Sequence, residues 1–185
     1  LELVGGVAAD LCCVEPNIIV FSSIMAGAIN GKSITNIVEQ SSGTPCITGF
    51  YAMLEAIHML GIKRPAVISP HTEELNLLFK RKMLQNGVRI GNIYQLSHPG
   101  IESSIRMMEQ ICMEDILKSL QNVNLADEDA LNLNTACTQG IDRLKDIESS
   151  LGIPVLQGDQ VSLWSALRAI HDTTNIPNLG RIFEV

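Results

Sequence analysis

Short apolar runs alternate with amphipathic segments along this chain of 185 residues. An apolar run such as Ile18-Ile19-Val20-Phe21 is typical of a strand that is buried on both faces of a parallel sheet. Other segments repeat their apolar residues at helical spacing, as at Met53, Leu54, Ile57 and Leu60. This alternation predicts an α/β fold, in which helices cover both faces of a parallel sheet.

The predicted elements follow one another in the order that such a fold requires. Apolar runs between turn residues predict strands at 17–23, 45–48, 64–70, 88–96 and 152–156, and a further strand that ends at Cys137. Helical spacing predicts helices at 1–14, 32–40, 49–60, 72–85, 105–111, 113–122 and 159–171, and one between Gly140 and Gly152. The stretch 24–31 is predicted to be a turn, and 97–104 is a long loop, which is either a lid over a site or simply a loop longer than average.

The beginning of the chain predicts a truncated protein. Leu1–Val14 resembles the second half of an amphipathic helix, and no strand precedes it. The segment also lacks the charged start and cleavage site of a signal peptide. We therefore expect that an opening strand and its loop are missing, together with any ligand contacts that they make.

Two parts of the chain repeat each other. The sequence of 38–47 resembles that of 147–156, and the helices that follow end in Ala56-Ile57-His58 and Ala169-Ile170-His171. The repeat predicts two pseudo-symmetric lobes with a cleft between them, in which Ser22-Ser23 corresponds to Ala136-Cys137. We assign 1–60 to the N-terminal lobe, with the tail 172–185 returning to it, and 61–171 to the C-terminal lobe.

Composition and charge narrow the classes of function. The net charge is −7, and the longest basic run is Lys80-Arg81-Lys82, so we expect no nucleic-acid partner. Hydrophobic residues make up 46% of the chain, but no apolar run has the length of a membrane span, so we expect no membrane partner. The 5 cysteines are odd in number and lack zinc-ligand spacing, which favours a reduced, cytoplasmic environment. The sequence leaves open a homo-oligomer.

Cys137 is the first candidate for chemistry. It lies where a predicted strand passes into a helix, and open α/β folds bind their ligands at this end of the sheet. The backbone N–H groups of Thr138, Gln139 and Gly140 would favour a thiolate there and could also hold a carboxylate. Two other interpretations stay open, namely a buried cysteine that only fills space and a redox-sensitive thiol.

Several motifs, in register along nearly the whole chain, resemble one known family. They are Gly43-Thr44-Pro45-Cys46-Ile47-Thr48, the segment 56–64, Pro70-His71-Thr72-Glu73-Glu74-Leu75-Asn76, Ala136-Cys137-Thr138, the segments 151–155 and 163–168, and Gly180-Arg181-Ile182-Phe183. The resemblance is to the arylmalonate decarboxylase and maleate isomerase branch of the aspartate/glutamate racemase superfamily. It implies two pseudo-symmetric α/β lobes with the active site between them, and it implies no metal and no organic cofactor.

The resemblance also implies an activity. It suggests a racemase, isomerase or decarboxylase that transfers a proton at the carbon next to a carboxylate of a small mono- or dicarboxylic acid. Cys137 would be the acid or base, and His71 would donate a hydrogen bond or act as a second acid or base. The predicted substrate-binding residues are Ser22, Ser23, Ile24, Thr138 and Gln139, whose backbone N–H groups would stabilise an enediolate.

The same resemblance shows where this chain departs from the family. Racemases and maleate isomerases carry one cysteine in each lobe, whereas the first of these positions is Ser23 here, and a serine hydroxyl is a much weaker acid and base. Ile24 and Met25 replace small hydroxyl residues, and His71 replaces a tyrosine. The alternative is therefore a catalytically degenerate paralogue that only binds a small carboxylate.

Overall fold

The structure is a computed structural model that describes residues 1–96, 111–135 and 141–185. Its strands are β1 (Ile19–Phe21), β2 (Cys46–Thr48), β3 (Pro65–Ser69), β4 (Ile93–Gln95), β5 (Ala130–Leu133) and β6 (Val155–Gln157). Its α-helices are α1 (Glu2–Leu11), α2 (Ile24–Ser42), α3 (Gly49–Met59), α4 (Glu73–Gln85), α5 (Met113–Leu120), α6 (Leu144–Leu151) and α7 (Gly158–Ala169). Short 3₁₀ helices lie at Cys12–Val14, Ile141–Arg143 and Arg181–Glu184.

The strands form two separate parallel sheets. β1 pairs with β2, and the second sheet has the strand order β4-β3-β5-β6. Since every pairing is parallel, the carboxyl ends of the strands in each sheet lie at one edge. The predicted α/β fold with helix-flanked parallel sheets is confirmed.

The predicted repeat has matching backbone geometry in the two lobes. Gly43 ends α2 and Gly152 ends α6, both in the left-handed region, with φ of +70° and +75°. Each glycine donates its backbone N–H over 2.8 Å to the carbonyl of a glutamate, Glu39 or Glu148, four residues before it. Only a glycine adopts this conformation without strain, so both helices end at the same place in the repeat.

The same two glutamates join each helix to the strand that follows. Glu39 Oε1 accepts a hydrogen bond from the Cys46 backbone N–H at 3.1 Å, and Glu148 Oε1 accepts one from Val155 at 2.8 Å. These acceptors and donors occupy equivalent positions in the two repeats. The lobes therefore share a helix-to-strand connection as well as a sequence pattern.

The predicted turn at 24–31 is wrong, because α2 begins directly after β1. Ser23 caps the helix, and its Oγ accepts a hydrogen bond from the Ala26 backbone N–H at 3.3 Å. Gly27 and Gly31 suggest a turn in the sequence, but here they let α2 pack closely against α3. The helix is kinked at Asn30, whose φ of −130° and ψ of 19° are not helical.

The other elements differ from prediction mainly at their ends. Of the predicted strand 88–96, only Ile93–Gln95 pairs as a strand, and the strand predicted to end at Cys137 is Ala130–Leu133. Thr72 caps α4 as predicted, accepting from the Leu75 backbone N–H at 3.4 Å. The predicted loop 97–104 and most of the predicted helix 105–111 lie outside the described residues.

The largest of three hydrophobic clusters among the described residues joins α2 and α3 to the second sheet and its helices. Its buried side chains come from α2 and α3, from β3, β5 and β6, from α4 and α7, and from the C-terminal tail, and include Phe50, Met53, Val67, Phe79, Leu156, Trp164 and Phe183. Helices α3 and α7 pack against each other across the junction. The assignment of 1–60 and 61–171 to separate lobes stays a prediction, although the two sheets fall on either side of residue 60.

Two further features concern membrane spans and the outer edge of β1. In the part of the chain that the structure describes, no helix combines the length and apolar character needed to cross a bilayer. On the side of β1 away from β2, no described strand pairs with it. An opening strand at that position stays a prediction.

Candidate active site

The candidate site lies where the strands of both lobes end. Ser22 and Ser23 follow β1, and Asn134 and Thr135 follow β5. His71 follows β3, the neighbour of β5 in the second sheet. The carboxyl ends of parallel strands are the usual place for a ligand in an α/β fold, so the sequence prediction and the topology point to the same edge.

At the first-lobe turn, the two serines keep exposed surface and the apolar side chains that follow them are buried. Ser22 is exposed and Ser23 is half-buried, with its Oγ held as the cap of α2. Ile24 and Met25 are buried in the shared core. Ile24 was predicted to bind the substrate, but its side chain can offer only apolar contact, whereas the first N–H groups of α2 have no partner within the helix itself.

The turns of the two lobes touch. The Asn134 side-chain amide Nδ2 lies 3.8 Å from the Met25 Sδ. A methyl group added at Gly158, the first residue of α7, would lie 3.1 Å from both the Ile24 Cδ1 and the Thr135 carbonyl oxygen. The strand ends of the two lobes therefore face each other across a short distance, as the resemblance implied for a site between lobes.

The environment of His71 differs from that of an ordinary surface histidine. Its side chain is buried, with 7% of the residue exposed, and the ring makes no hydrogen bond to a described residue. Burial lowers the pKa of the His71 imidazole below its ordinary value. The ring is therefore neutral near neutral pH, with one nitrogen able to donate and the other able to accept.

Cys137, Thr138 and Gln139 lie outside the described residues. Their predicted roles therefore stay predictions. Of the cysteines that are described, Cys46 is buried, and burial, reinforced by Glu39, raises its pKa to about 11. A thiol with that pKa is a poor source of thiolate, so Cys46 does not compete with Cys137 for the predicted role.

The strand register gives a different alignment of the two turns from the one that the sequence suggested. Phe21 pairs with Thr48, and Leu133 pairs with Gln157, the repeat equivalent of Thr48. Two residues further on, Ser23 then corresponds to Thr135 rather than to Cys137.

The packing of the turns shifts this alignment by one residue. The carbonyl that packs on Gly49 belongs to Ser22, and the one that packs on the equivalent Gly158 belongs to Thr135. Both counts end at Thr135, and the first-lobe equivalent of Cys137 stays the sequence prediction, because Cys137 lies outside the described residues.

Sequence reasoning missed the side chains that brace the site. Gln157 caps α7, accepting from the backbone N–H groups of Asp159 at 2.7 Å and Gln160 at 3.0 Å. Its Nε2 donates to the Thr135 carbonyl at 3.0 Å, which ties the end of β5 to the start of α7. The spacing of Gln157 and Gln160 at the start of a helix is the signal that could have identified this cap.

A cavity lies away from the strand-end turns. A cavity of about 550 Å³ opens beside β2, between α2, α3 and α7, and contains Lys32, Glu55 and Arg168. None of the predicted site residues lines it. Among the described residues, no group of three or more His, Cys, Asp or Glu side chains is placed to hold a metal ion.

The fold and site define an α/β protein of two parallel sheets whose strand ends meet. Residues 21–183 match the sequence profile of the arylmalonate decarboxylase family. That match covers most of the chain, so this protein belongs to the arylmalonate decarboxylase family.

Individual relatives are more distant. The arylmalonate decarboxylase of Bordetella bronchiseptica is 23% identical over 168 residues, which are 88% of this chain and 67% of the relative. The maleate isomerase of Geobacillus stearothermophilus is 23% identical over 152 residues, 80% of this chain and 59% of the relative. The chain thus spans about three fifths to two thirds of the length of these proteins.

A solved structure shows the same fold. The maleate cis-trans isomerase of Nocardia farcinica, in a mutant form with a covalently bound succinylcysteine intermediate, superposes with a TM-score of 0.84 at 17% identity. The match covers 95% of this chain and 74% of that one. At this identity the likeness supports the fold alone.

Proposed function

We propose that this protein is a cofactor-independent enzyme that transfers a proton at the carbon next to a carboxylate of a small mono- or dicarboxylic acid, with Cys137 as the acid or base. One observation carries the proposal: the strand ends of the two lobes meet at Met25 and Asn134, and Cys137 follows Asn134 by three residues in the sequence. Cys137 follows Thr135 by two residues, which span at most about 7 Å, so the chain itself keeps the Cys137 backbone close to Thr135.

The chemistry needs two things from this region. Loss of CO₂ or of a proton leaves an enediolate, and its negative oxygens need hydrogen-bond donors that are already in place. The first backbone N–H groups of α2 and the neutral His71 imidazole are donors at the strand ends. A thiol then delivers a proton to one face of the carbon, which is the step that we assign to Cys137.

A single thiol favours decarboxylation followed by protonation over racemisation. Racemisation needs an acid or base on each face of the carbon. The sequence repeat aligns Cys137 with Ser23, whose hydroxyl is too weak an acid and base to act without a partner, and the next residues, Ile24 and Met25, are apolar. The relatives include both a decarboxylase and an isomerase, so we test one substrate of each kind.

The test is hydrogen isotope incorporation. The protein is incubated in D₂O with phenylmalonate, as an arylmalonate, or with maleate, and NMR detects product and deuterium at the α-carbon. We expect turnover by the wild type and a loss of at least about 100-fold in Cys137→Ala, the usual contribution of an acid–base group. Cys13→Ala, which removes an exposed cysteine of the first lobe, is the matched control and should keep full activity.

The alternative is a degenerate paralogue that binds a small carboxylate without reaction. The apolar residues Ile24 and Met25 at the first-lobe turn favour it, because they cannot supply side-chain hydrogen bonds. If wild type and Cys137→Ala both leave the probes unchanged while maleate raises the melting temperature, the binding function replaces the enzymatic one. Equal turnover by the two proteins would remove Cys137 from the mechanism.

A further inference from the structure

Both backbone polar groups of His71 are held by buried side chains. The His71 N–H donates to the Ser69 Oγ at 3.2 Å. The His71 carbonyl accepts from the Asn76 Nδ2 at 3.1 Å. Because neither bond belongs to a strand or a helix, this turn owes its position to Ser69 and Asn76.

The two side chains also bind each other, which closes a ring of hydrogen bonds. The Ser69 Oγ donates to the Asn76 Oδ1 at 2.6 Å. The serine hydroxyl thus donates once and accepts once, and the Asn76 amide uses both its oxygen and its nitrogen. Pro70, between Ser69 and His71, fixes one further backbone angle of the turn.

The ring is anchored in the core and tied to the neighbouring strand. Ser69 is fully buried at the end of β3, and Asn76 is buried in the first turns of α4. The Asn76 Nδ2 also lies 3.3 Å from the Oε1 of Gln95 in β4. A buried amide without partners is costly, so this arrangement has few alternatives.

The imidazole is left available by this arrangement. Ser69 and Asn76 satisfy the His71 backbone, and among the described residues no side chain bonds to the ring. Neither ring nitrogen is among the buried side-chain atoms of the described residues that lack a partner, so the ring nitrogens are accessible to a ligand. The fixed backbone and the uncommitted ring together suit a group that bonds to a ligand.

We infer that Asn76 is a positioning residue, which acts through His71 by fixing the turn that presents the imidazole to the substrate carboxylate. The inference rests on the proposed function for the reaction itself, but the orientation of the ring can be measured without turnover. Ser69 shares this role from the other side of the ring of bonds. Neither residue touches the substrate in this scheme.

The first test is ¹⁵N NMR of the histidine rings. In the wild type we expect one tautomer and narrow His71 signals, and in Asn76→Ala signals that are shifted and averaged over several ring orientations. Asn86→Ala is the matched control, because Asn86 bonds to the Lys82 carbonyl at the other end of α4 and does not touch His71. The exposed His58 and His171 serve as internal references.

The second test is a double-mutant cycle with phenylmalonate as probe. We expect Asn76→Ala to lower kcat/KM about 10- to 100-fold, as a misplaced group does, and to have no further effect in a His71→Gln background. If Asn76→Ala fails to fold, Ser69→Ala breaks the same ring of bonds and is measured in its place.

The outcomes separate the two proposals. The positioning role is overturned if a folded Asn76→Ala gives unchanged His71 signals. It is also overturned if Asn76→Ala lowers kcat/KM as much in the His71→Gln background as in the wild type. If the wild type turns over neither phenylmalonate nor maleate, the proposed function fails, while the ring signals still decide whether Asn76 orients His71.

Discussion

Glu148 shows how much one side chain contributes to the second lobe. The residue is 2% exposed, and its carboxylate accepts the backbone N–H groups of Val155 at 2.8 Å and Arg181 at 2.7 Å. Glu148→Ala leaves two buried donors without a partner, so we expect it to lower the free energy of unfolding by about 2 to 4 kcal/mol. Urea unfolding followed by circular dichroism measures the loss.

Glu39 is the natural control, because it holds the equivalent position of the first repeat. It is exposed and accepts one backbone N–H, from Cys46, so water can replace it in Glu39→Ala. We expect a loss below about 1 kcal/mol there. Equal losses in the two variants would mean that burial does not set the strength of this bond.

Glu148 also affects how the free energy of unfolding depends on pH. Burial is the largest influence on its carboxyl and raises the pKa above the ordinary value, although the two N–H donors oppose the shift. The folded chain therefore keeps a proton that the unfolded chain releases, and this contribution to stability is lost as pH rises from the unfolded to the folded pKa. Glu148→Gln removes that part of the pH dependence.

At the residue scale, the sequence predicted which residues lie at strand ends better than it predicted their burial and hydrogen bonds. Placing Ser23 and His71 at strand ends needs only local pattern, which is why the structure finds them there. The burial of His71 and its link to Asn76 depend on β4 and α4 packing together, which no local pattern contains. The alignment of Ser23 with Cys137 relied on spacing alone, and strand register favours Thr135 instead.

The turn from β2 into α3 depends on the absence of a side chain at Gly49. A methyl group there would overlap the Ser22 carbonyl of the neighbouring turn. We expect Gly49→Ala to lower the free energy of unfolding by about 1 to 3 kcal/mol, because backbone rather than a flexible side chain must move. Thermal unfolding of the purified variant measures this.

Gly6→Ala is the matched control for that substitution. Gly6 lies within α1, and an added methyl group would meet no atom within 4 Å. Alanine is the better helix former, so the control should gain up to about 1 kcal/mol. A neutral Gly49→Ala would mean that Ser22 shifts easily, and the contact between the two strand-end turns would then be weak.

At the element scale, hydrophobic spacing predicted most helices and strands but failed at α2. Gly27 and Gly31 lie within the stretch that the sequence predicts to be a turn, and glycine is common in turns. In the fold their lack of a side chain lets α2 approach the aromatic rings of α3, a reason that appears only when the two helices are seen together. The kink at Asn30 is a departure of the backbone from helical φ and ψ, which hydrophobic spacing does not mark.

The shared core predicts that both lobes unfold together. Phe183 of the C-terminal tail and Trp164 of α7 are buried in one cluster with side chains of α2, α3 and the second sheet, and the Ser165 Oγ bonds to the Glu55 Oε2 at 2.6 Å across the α3–α7 contact. Trp164 is the single tryptophan of the chain and is 1% exposed, so its fluorescence reports on the α3–α7 contact. We expect its urea midpoint to coincide with that of the far-ultraviolet dichroism of the whole chain.

A substitution in the C-terminal tail tests the same expectation. Phe183→Ala should lower the stability reported by both signals equally, by about 3 to 5 kcal/mol, as for other buried aromatic residues. Val185→Ala, two residues later and exposed, should leave both midpoints in place. Two separate transitions, or a shift of only one signal, would show that the lobes are independent folding units.

At the scale of the whole molecule, the repeat was the most informative part of the sequence. The aligned prolines of 38–47 and 147–156 predicted two related lobes, and the glutamate bonds show the same helix-to-strand connection in both repeats. The packing of α3 on α7 could not be predicted, because the repeat describes what the lobes have in common rather than how they pack.

The packing of α3 on α7 also limits how a ligand can reach the strand ends. Many two-lobed binding proteins capture their ligands by a hinge that swings the lobes apart. Here such a swing would pull Phe50, Trp164 and Phe183 into water, at a cost of several side chains' burial free energy. We therefore expect a ligand of the proposed site to enter and leave with α3 and α7 still packed together, which favours small molecules over large ones.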